Sequence, residues 1–550
     1  MWSTASSALS GRAGVSYRQL LPLAGILCFC IGWPVFLAVF TGSLEIPHND
    51  AWAYSLIAER HARSGSIELV GWNRAALIGQ IVILGPLGQS IVAQQLFVAA
   101  LATCGLLATY GLLVPRIGRS GALLGTALVG LTPDFGLLTT SYMAEIPAFT
   151  AVVACLFLTD RALRVQDARY LLGALAIGTW GVTVREQAIV GPVVAVAVTL
   201  TAWRGRKRRI ALLAGMFSAL VIAVFEVWRR SLPHDGGAPL TPLGISTVLA
   251  IATAVAMCFF VALAVFPVVL ISVRPRRWSR RAQRISVGVF VLTALVAGVA
   301  HVFGQGNFIF LSNYLTRDGA YTAASIGTRH VLPDWWWFTL VVMACVSLAL
   351  IVGQLIDSGI RLDRMLGLVL LLTLGGTLAQ VVLGQPAFGR SLLILIPVAC
   401  VALLGCRATD GRSPPPVRRK LLPVAAVAIL AATSTAVIAN ALAFDAARWH
   451  AASKLVARGV AHTDINAGFE WVGYHAAQPA SWSSADSDAF SWYMSMFEHS
   501  RNCYVVSASP LHGLRLISTE HYRTYALAGS SNLWIYQTFP CHRPGTAGET

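Results

Sequence analysis

Leu20-Leu-Pro-Leu-Ala-Gly-Ile-Leu-Cys-Phe-Cys-Ile-Gly-Trp-Pro-Val-Phe-Leu-Ala-Val-Phe-Thr41, followed almost at once by Leu44-Glu-Ile-Pro-His-Asn-Asp-Ala-Trp-Ala-Tyr54, is the stretch that decides the fold. The first run carries no charge and has the length of a helix crossing the hydrocarbon core of a bilayer. Arg12 and Arg18 precede it, and no clear small-residue cleavage site follows it. It reads as a retained first span rather than a signal peptide. The second run is where the chain leaves the bilayer. It holds a carboxylate, Asp50, at a depth where a carboxylate is partly stripped of water.

The rest of the chain repeats the first run. Of 550 residues, 56% are apolar and only 12% charged, and mean hydropathy is +0.67. A soluble protein carries about 25% charged residues, so most of this chain belongs in lipid. Thirteen apolar runs are expected as spans, near 20–41, 91–114, 120–134, 146–160, 169–184, 187–203, 210–228, 246–271, 286–304, 336–356, 365–384, 391–406 and 421–441. The formal charge of +17 does not point to nucleic acid, because the basic residues fall between these runs. With the N-terminus inside, the inner segments hold 25 Lys and Arg and the outer loops 9. That is the bias of a multi-pass inner-membrane protein with a cytoplasmic N-terminus. Carboxylates run the other way, 5 inside against 11 in the outer loops and adjoining span ends, so acid–base chemistry is expected on the outer face.

The expected fold class is therefore mainly α, a polytopic membrane domain over 1–444 with a first outer loop at 42–90. Within that loop Ala53–Arg63 and Ala75–Leu84 read as helices lying in the interface. Residues 445–550 turn polar, with alternating stretches such as Cys503-Tyr-Val-Val-Ser and Leu533-Trp-Ile-Tyr-Gln. They are expected to form a small α+β extracytoplasmic domain. Most of the ten cysteines lie in apolar runs; only Cys503 and Cys541 lie in this polar region, as a disulfide or as two free thiols.

Four residues stand out. Asp50 is a candidate base; the alternative is a helix cap for the segment that begins at Ala51. Glu145, in Thr139-Thr-Ser-Tyr-Met-Ala-Glu-Ile-Pro147, sits in a short outer turn at membrane depth; the alternative is a carboxylate favoured by a helix start. Arg185, in Val182-Thr-Val-Arg-Glu-Gln-Ala188, is placed to meet a phosphate or to pair with Glu186 or another outer carboxylate. Arg390, in Phe388-Gly-Arg-Ser-Leu-Leu-Ile-Leu-Ile-Pro397, opens the twelfth run from the outer side; the alternative is snorkelling to the interface.

Taken together these motifs resemble the GT-C glycosyltransferases, family 39 in particular, with the protein O-mannosyltransferases and the lipid A aminoarabinose transferase as relatives. The tail Ala447-Arg-Trp-His, continuing to Phe469-Glu-Trp-Val-Gly473, is similar to the outer region of bacterial members. The resemblance implies an integral membrane enzyme that takes a sugar from a polyprenyl-phosphate donor, outside the membrane and with inversion. It implies that Asp50 matches the catalytic acid of the first loop, Glu145 the second acidic position, and Arg390 the arginine of the late aromatic motif. The chain departs from the pattern at Gly389 and Ser391, which flank that arginine, and at Asn49-Asp50, where protein mannosyltransferases carry Asp-Glu.

On this reading Arg390, with Arg185, meets the donor phosphate, Asp50 deprotonates an acceptor hydroxyl, and Glu145 orients the acceptor. No cofactor is required; Mg²⁺ or Mn²⁺ held by Asp50 and Glu145 is left open. Expected partners are the lipid-linked sugar, a glycan, lipid or protein acceptor, and membrane lipids, with no nucleic acid. The rival is a lipid or polysaccharide transporter or flippase without transferase activity. It requires polar residues deep in several spans, whereas here the ionisable residues gather at the outer ends.

Overall fold

The computed structural model describes residues 17–70, 78–232, 247–302, 331–358, 362–383, 387–408, 421–476, 500–525 and 531–538, with short pieces at 315–329 and 491–497. Almost all of this is helix, as the apolar runs demand. With no water in the bilayer core, the backbone must satisfy its own hydrogen bonds. Among the described residues eight helices are long and apolar enough to cross a membrane, or nine if the pair Thr253–Ala264 and Phe266–Ser272, bent by 66°, is one span.

Each of the thirteen expected runs coincides with an apolar helix, but not each with a full crossing. Ala168–Val184, Glu186–Ala202 and Leu395–Gly405 are shorter than a span. The runs 91–114 and 120–134 fall within one 40-residue helical stretch, Ile91–Gly130, broken at Gly118 (φ 71°, ψ 173°). A side chain at Gly125 would strike Leu113, and one at Gly130 would meet Leu106. Those pairings require two antiparallel arms, so the chain doubles back at Gly118, where only glycine takes this backbone freely.

The helix Glu145–Val165 separates two ends of the molecule. Asp160 near its last turn binds Arg116 and Arg164, at 2.8 and 2.7 Å, and Arg116 also binds Asp363. All four belong to segments expected on one side of the membrane. Glu145 stands at the other end, with the C-terminal sheet. That sheet has four strands, β1 (Ile465–Asn466), β2 (Tyr504–Ser507), β3 (Arg515–His521) and β4 (Asn532–Gln537), in the order β1-β2-β4-β3. Within it only β1 and β2 run parallel.

The helix Leu421–Ala457 passes through position 444 without a break and continues into this C-terminal region. Among the described residues a large core fills the helical bundle, a second lies around Cys155, Leu171 and Trp203, and a third joins Phe444, Ala451 and Leu455 to Trp471, Val506, Leu533 and Ile535. Cys503 is disulfide-bonded; Cys541 lies outside the described residues.

The helix Ala51–Ser64 forms where a helix is expected, but it does not lie free in the interface. Trp52, Tyr54, Ser55, Ile57 and Glu59 are buried. The Trp52 ring packs edge-on against Phe469 and Phe497 of the C-terminal region, 5.6 and 5.7 Å between centroids. Its apolar surface is covered by protein rather than by lipid headgroups. Residues 75–77 of the second expected helix lie outside the described residues; Ile78–Leu84 is helical.

Candidate functional site

Asp50 ends the turn that starts the helix Ala51–Ser64. It occupies the N-cap position with helical angles, φ −61° and ψ −13°, and its side chain makes no capping hydrogen bond. The capping alternative is thus not realised, and the carboxylate is directed elsewhere. It keeps part of its surface accessible although protein crowds it, as for a group at the floor of a cleft. Burial pushes its pKa up to about 6 and Glu145 adds to the rise, while Arg390 and Arg185 pull against it. Those partners place Asp50 within electrostatic reach of the other three residues singled out in the sequence.

Glu145 is the centre of the group. Its Oε1 accepts a 2.7 Å hydrogen bond from Arg185 Nη1 and lies 2.7 Å from Arg390 Nε in an ion pair. Its side chain is 1% exposed. Arg185 sits in the extended link (φ −158°, ψ 130°) between Ala168–Val184 and the short 3₁₀ turn Glu186–Ile189, which aims it back across the helix ends. Its Nε donates to Gln187, whose amide donates to Gln380. Glu186 is not its partner and lies 3.7 Å from Arg229 instead. Arg390 comes from the turn Gly389–Leu392, is buried, and stacks its guanidinium over Phe388 at 4.3 Å. Arginine suits such a place because its planar fork can pair and stack at once.

Gly389, a departure from the family pattern, has a physical reason. A side chain there would approach Phe260 to 3.1 Å and lie beside the Asp134 carboxylate.

Asp134 is the residue that apolar-run reading misses. It falls at the last position of the run 120–134 and receives no role there. In the structure the chain ends its hairpin arm and starts the short helix Pro133–Thr139, on which Asp134 is buried. Burial pushes its pKa up to about 6, with Glu145 raising it further and Arg390 and its own backbone opposing. The available signal was Pro133, which favours a helix start and so ends the span before the carboxylate. Tyr54 completes the group one helical turn after Asp50. It is buried, and both that burial and the Asp50 charge push its phenol well above the usual range.

A cavity of about 570 Å³ opens beside the group. One end carries Glu145, Arg185, Gln187, Gln380, Arg390 and Ser391. The remainder is apolar, walled by residues such as Phe149, Val152, Val193 and Leu371. A phosphate at the polar end and a hydrocarbon chain along the walls match this division. Two arginines against Glu145 leave positive charge facing the cavity. Asp50 and Asp134, raised by burial to about 6, are still mostly ionised at neutral pH, so the positive charge is local to the two guanidiniums at the cavity wall rather than a surplus of the whole cluster. The same two guanidiniums make Glu145 a poor ligand for a divalent cation, which would meet both positive charges. Among the described residues no group of three or more His, Cys, Asp or Glu is arranged to hold a metal.

Residues 77–228 match the model of the dolichyl-phosphate-mannose-protein mannosyltransferase family. That segment carries Asp134, Glu145 and Arg185; Asp50 and Arg390 lie outside it. The match supports a membrane glycosyltransferase of the GT-C kind, and the chain resembles that superfamily. Among solved structures it is similar to ArnT from Cupriavidus metallidurans bound to undecaprenyl phosphate, with TM-score 0.40, 14% identity, and 84% of this chain and 87% of that one covered. It is also similar to the apo Archaeoglobus fulgidus oligosaccharyltransferase, with TM-score 0.32, 12% identity, and 84% and 62% covered. No curated protein sequence matches it.

Proposed function

We propose that the protein is an integral membrane glycosyltransferase that moves a sugar from a polyprenyl-phosphate donor to an acceptor hydroxyl, on the extracytoplasmic face and with inversion. The observation that carries this is the cluster of Glu145, Arg185 and Arg390 at the charged end of an otherwise apolar cavity, with Asp50 within electrostatic reach of all three. The polyprenyl chain lies in the cavity, and the phosphate sits at its polar end. Arg390 and Arg185, held in orientation by Glu145, stabilise the charge that grows on the departing phosphate. The acceptor oxygen attacks the anomeric carbon as Asp50 takes its proton. The bond from that carbon to the phosphate oxygen breaks, and its electron pair leaves with the polyprenyl phosphate. Asp50 suits the task because its pKa near 6 lies close to working pH while the carboxylate is still mostly ionised.

Glu145 thereby acts through the arginines rather than on the acceptor. A hydroxyl on a protein, a lipid or a glycan satisfies this chemistry equally. The basic segments face the cytoplasm, and the site and the sheet lie outside. Residues 445–550 form the outer region, and the boundary to 1–444 is crossed by one continuous helix.

The test is purified protein in lipid nanodiscs with a polyprenyl-phosphate sugar and a mixed acceptor pool, with and without a chelator. Release of free polyprenyl phosphate that is lost in Asp50→Asn supports the reading. Movement of intact donor across the bilayer without cleavage overturns it in favour of a flippase.

A further inference from the structure

Four ionisable side chains outside the cavity form a second buried network. His48 and Glu470 are 0% exposed, and Asp445 and Arg448 1%. His48 Nδ1 lies 2.8 Å from Asp445 Oδ2. A carboxylate can only accept there, so the imidazole donates. Arg448 Nη2 donates to Asp445 Oδ1 at 2.6 Å and also to Glu470, while its Nη1 donates to the Ala467 carbonyl at 2.7 Å. The Arg448 guanidinium also lies over the Phe444 ring at 4.7 Å. Burying so much charge is tolerated only when each group is paired in good geometry. None of the four lines the apolar cavity, so donor binding does not explain them.

Their location does. The network ties the turn before the helix Ala51–Ser64 to a distant part of the chain, the end of the helix Leu421–Ala457 and the segment Ala467–Glu470 that follows it. His48 stands two residues before Asp50. The residue between them, Asn49, has φ 49°, left-handed backbone that a non-glycine residue adopts only when held there. The turn closes with Ala51 N–H donating to the His48 carbonyl at 3.1 Å and Ala53 N–H to the Asp50 carbonyl at 3.2 Å. From the far side the C-terminal region grips the same helix. Gly473 lies so close to the Trp52 ring that a side chain would overlap it, and Tyr474 donates to Glu59 at 2.7 Å. Asp50 is therefore held from both sides by residues that touch neither cavity nor substrate.

We infer that Asp445, with Arg448 and Glu470 behind it, is a positioning group for transfer: through His48 it holds the left-handed turn at Asn49 that points the Asp50 carboxylate at the Arg390–Glu145 cluster. The C-terminal region thereby belongs to the catalytic apparatus. The sequence pattern Ala447-Arg-Trp-His and Phe469-Glu-Trp-Val-Gly473 gains a physical reason, since Arg448 and Glu470 are its buried pair. The inference rests on Asp50 as the proposed base, but its structural half does not.

The experiment uses the full chain in nanodiscs and two readouts. The variants are His48→Ala, Asp445→Asn, and His48→Asn, whose amide reaches Asp445 from about the position of Nδ1. Amide hydrogen exchange is followed over residues 46–54 and over the helix Glu145–Val165, alongside steady-state transfer. For His48→Ala and Asp445→Asn the expected result is faster exchange confined to 46–54, and kcat lower by about 10²-fold, the usual effect of a misplacement of about 1 Å. The donor KM stays within about threefold, because the cavity is untouched. His48→Asn regains most of both. Unchanged exchange at 46–54, loosening spread over the whole molecule, or an Asn variant no better than Ala overturns the inference. If the wild type shows no transfer, the proposed function fails, and exchange alone still decides whether the clamp exists.

Discussion

Two buried clusters of charge, built from the same residue types, lie at the same end of this molecule. One gathers Asp50, Asp134, Glu145, Arg185 and Arg390; the other gathers His48, Asp445, Arg448 and Glu470. The first borders a cavity, and two of its carboxylates carry raised pKa values. None of the second cluster's members lines that cavity; they pair among themselves and with the Ala467 carbonyl, although burial also raises Glu470 to about 7 and Arg448 Nε and Glu470 Oε2 have no hydrogen-bond partner among the described residues. The difference shows what separates chemistry from positioning. A reactive cluster faces space where a substrate fits and sets charge at the wall of that space. A positioning cluster is turned inward, onto the backbone and side chains that it holds. Burial and ion pairs alone do not separate the two.

The comparison breaks first at Asp50. Asp50→Asn removes the proposed base and should lower transfer by roughly 10²–10⁴-fold, with donor binding and thermal unfolding close to wild type. An active Asp50→Asn variant would place the chemistry elsewhere, with Asp134 the next candidate.

Arg390→Ala should lower kcat by about 10²–10³-fold, because a charge-stabilising donor is removed where the leaving phosphate develops charge. Arg185→Ala should cost less, since Arg185 is more exposed and water can replace part of it. Equal losses from both would mean that the phosphate sits between them rather than against Arg390.

Glu145→Gln tests whether this carboxylate holds the arginines. Removing one charge from a buried pair is worth about 3 kcal/mol of stability, readable as a lower unfolding temperature in detergent. The donor KM should rise as the arginines lose their orientation. Unaltered stability would show that the arginines are held by other groups.

The pH profile sharpens the assignment further. Only ionised Asp50 accepts a proton, and its pKa is pushed up to about 6. So kcat/KM should fall as pH drops through about 6 and level off above it. This acid limb should disappear from the residual activity of Asp50→Asn. The smallest expected effect belongs to Gly389→Ala. Its new methyl group meets Phe260 at 3.1 Å, so the neighbouring ring must shift by a few tenths of an ångström, and kcat should change by less than about tenfold.

Much of this was legible in the chain before folding. The charge-free runs and the basic segments between them require a multi-pass helical protein, since backbone and charge both have no other tolerable place in lipid. Asp50, Glu145, Arg185 and Arg390 could be singled out because ionisable residues at span ends are rare and conspicuous. Asp134 could not, because by run length it belongs to a span. Only the hairpin at Gly118 and the helix start at Pro133 reveal that it leaves the bilayer. Asp445 was hidden for a similar reason: it sits in a helix that continues past the expected end of its span.

Sequence alone therefore determined what the chain is made to do in bulk: cross a membrane many times and leave acids and arginines at span ends. Those outcomes follow from transfer free energies that act residue by residue. Which acid meets which arginine was left to tertiary structure. Asp50 and Arg390 are 340 positions apart, and His48 and Asp445 are 397. No local preference joins such pairs; the packing of the helix ends around Glu145, and of the C-terminal sheet against Trp52, brings them together.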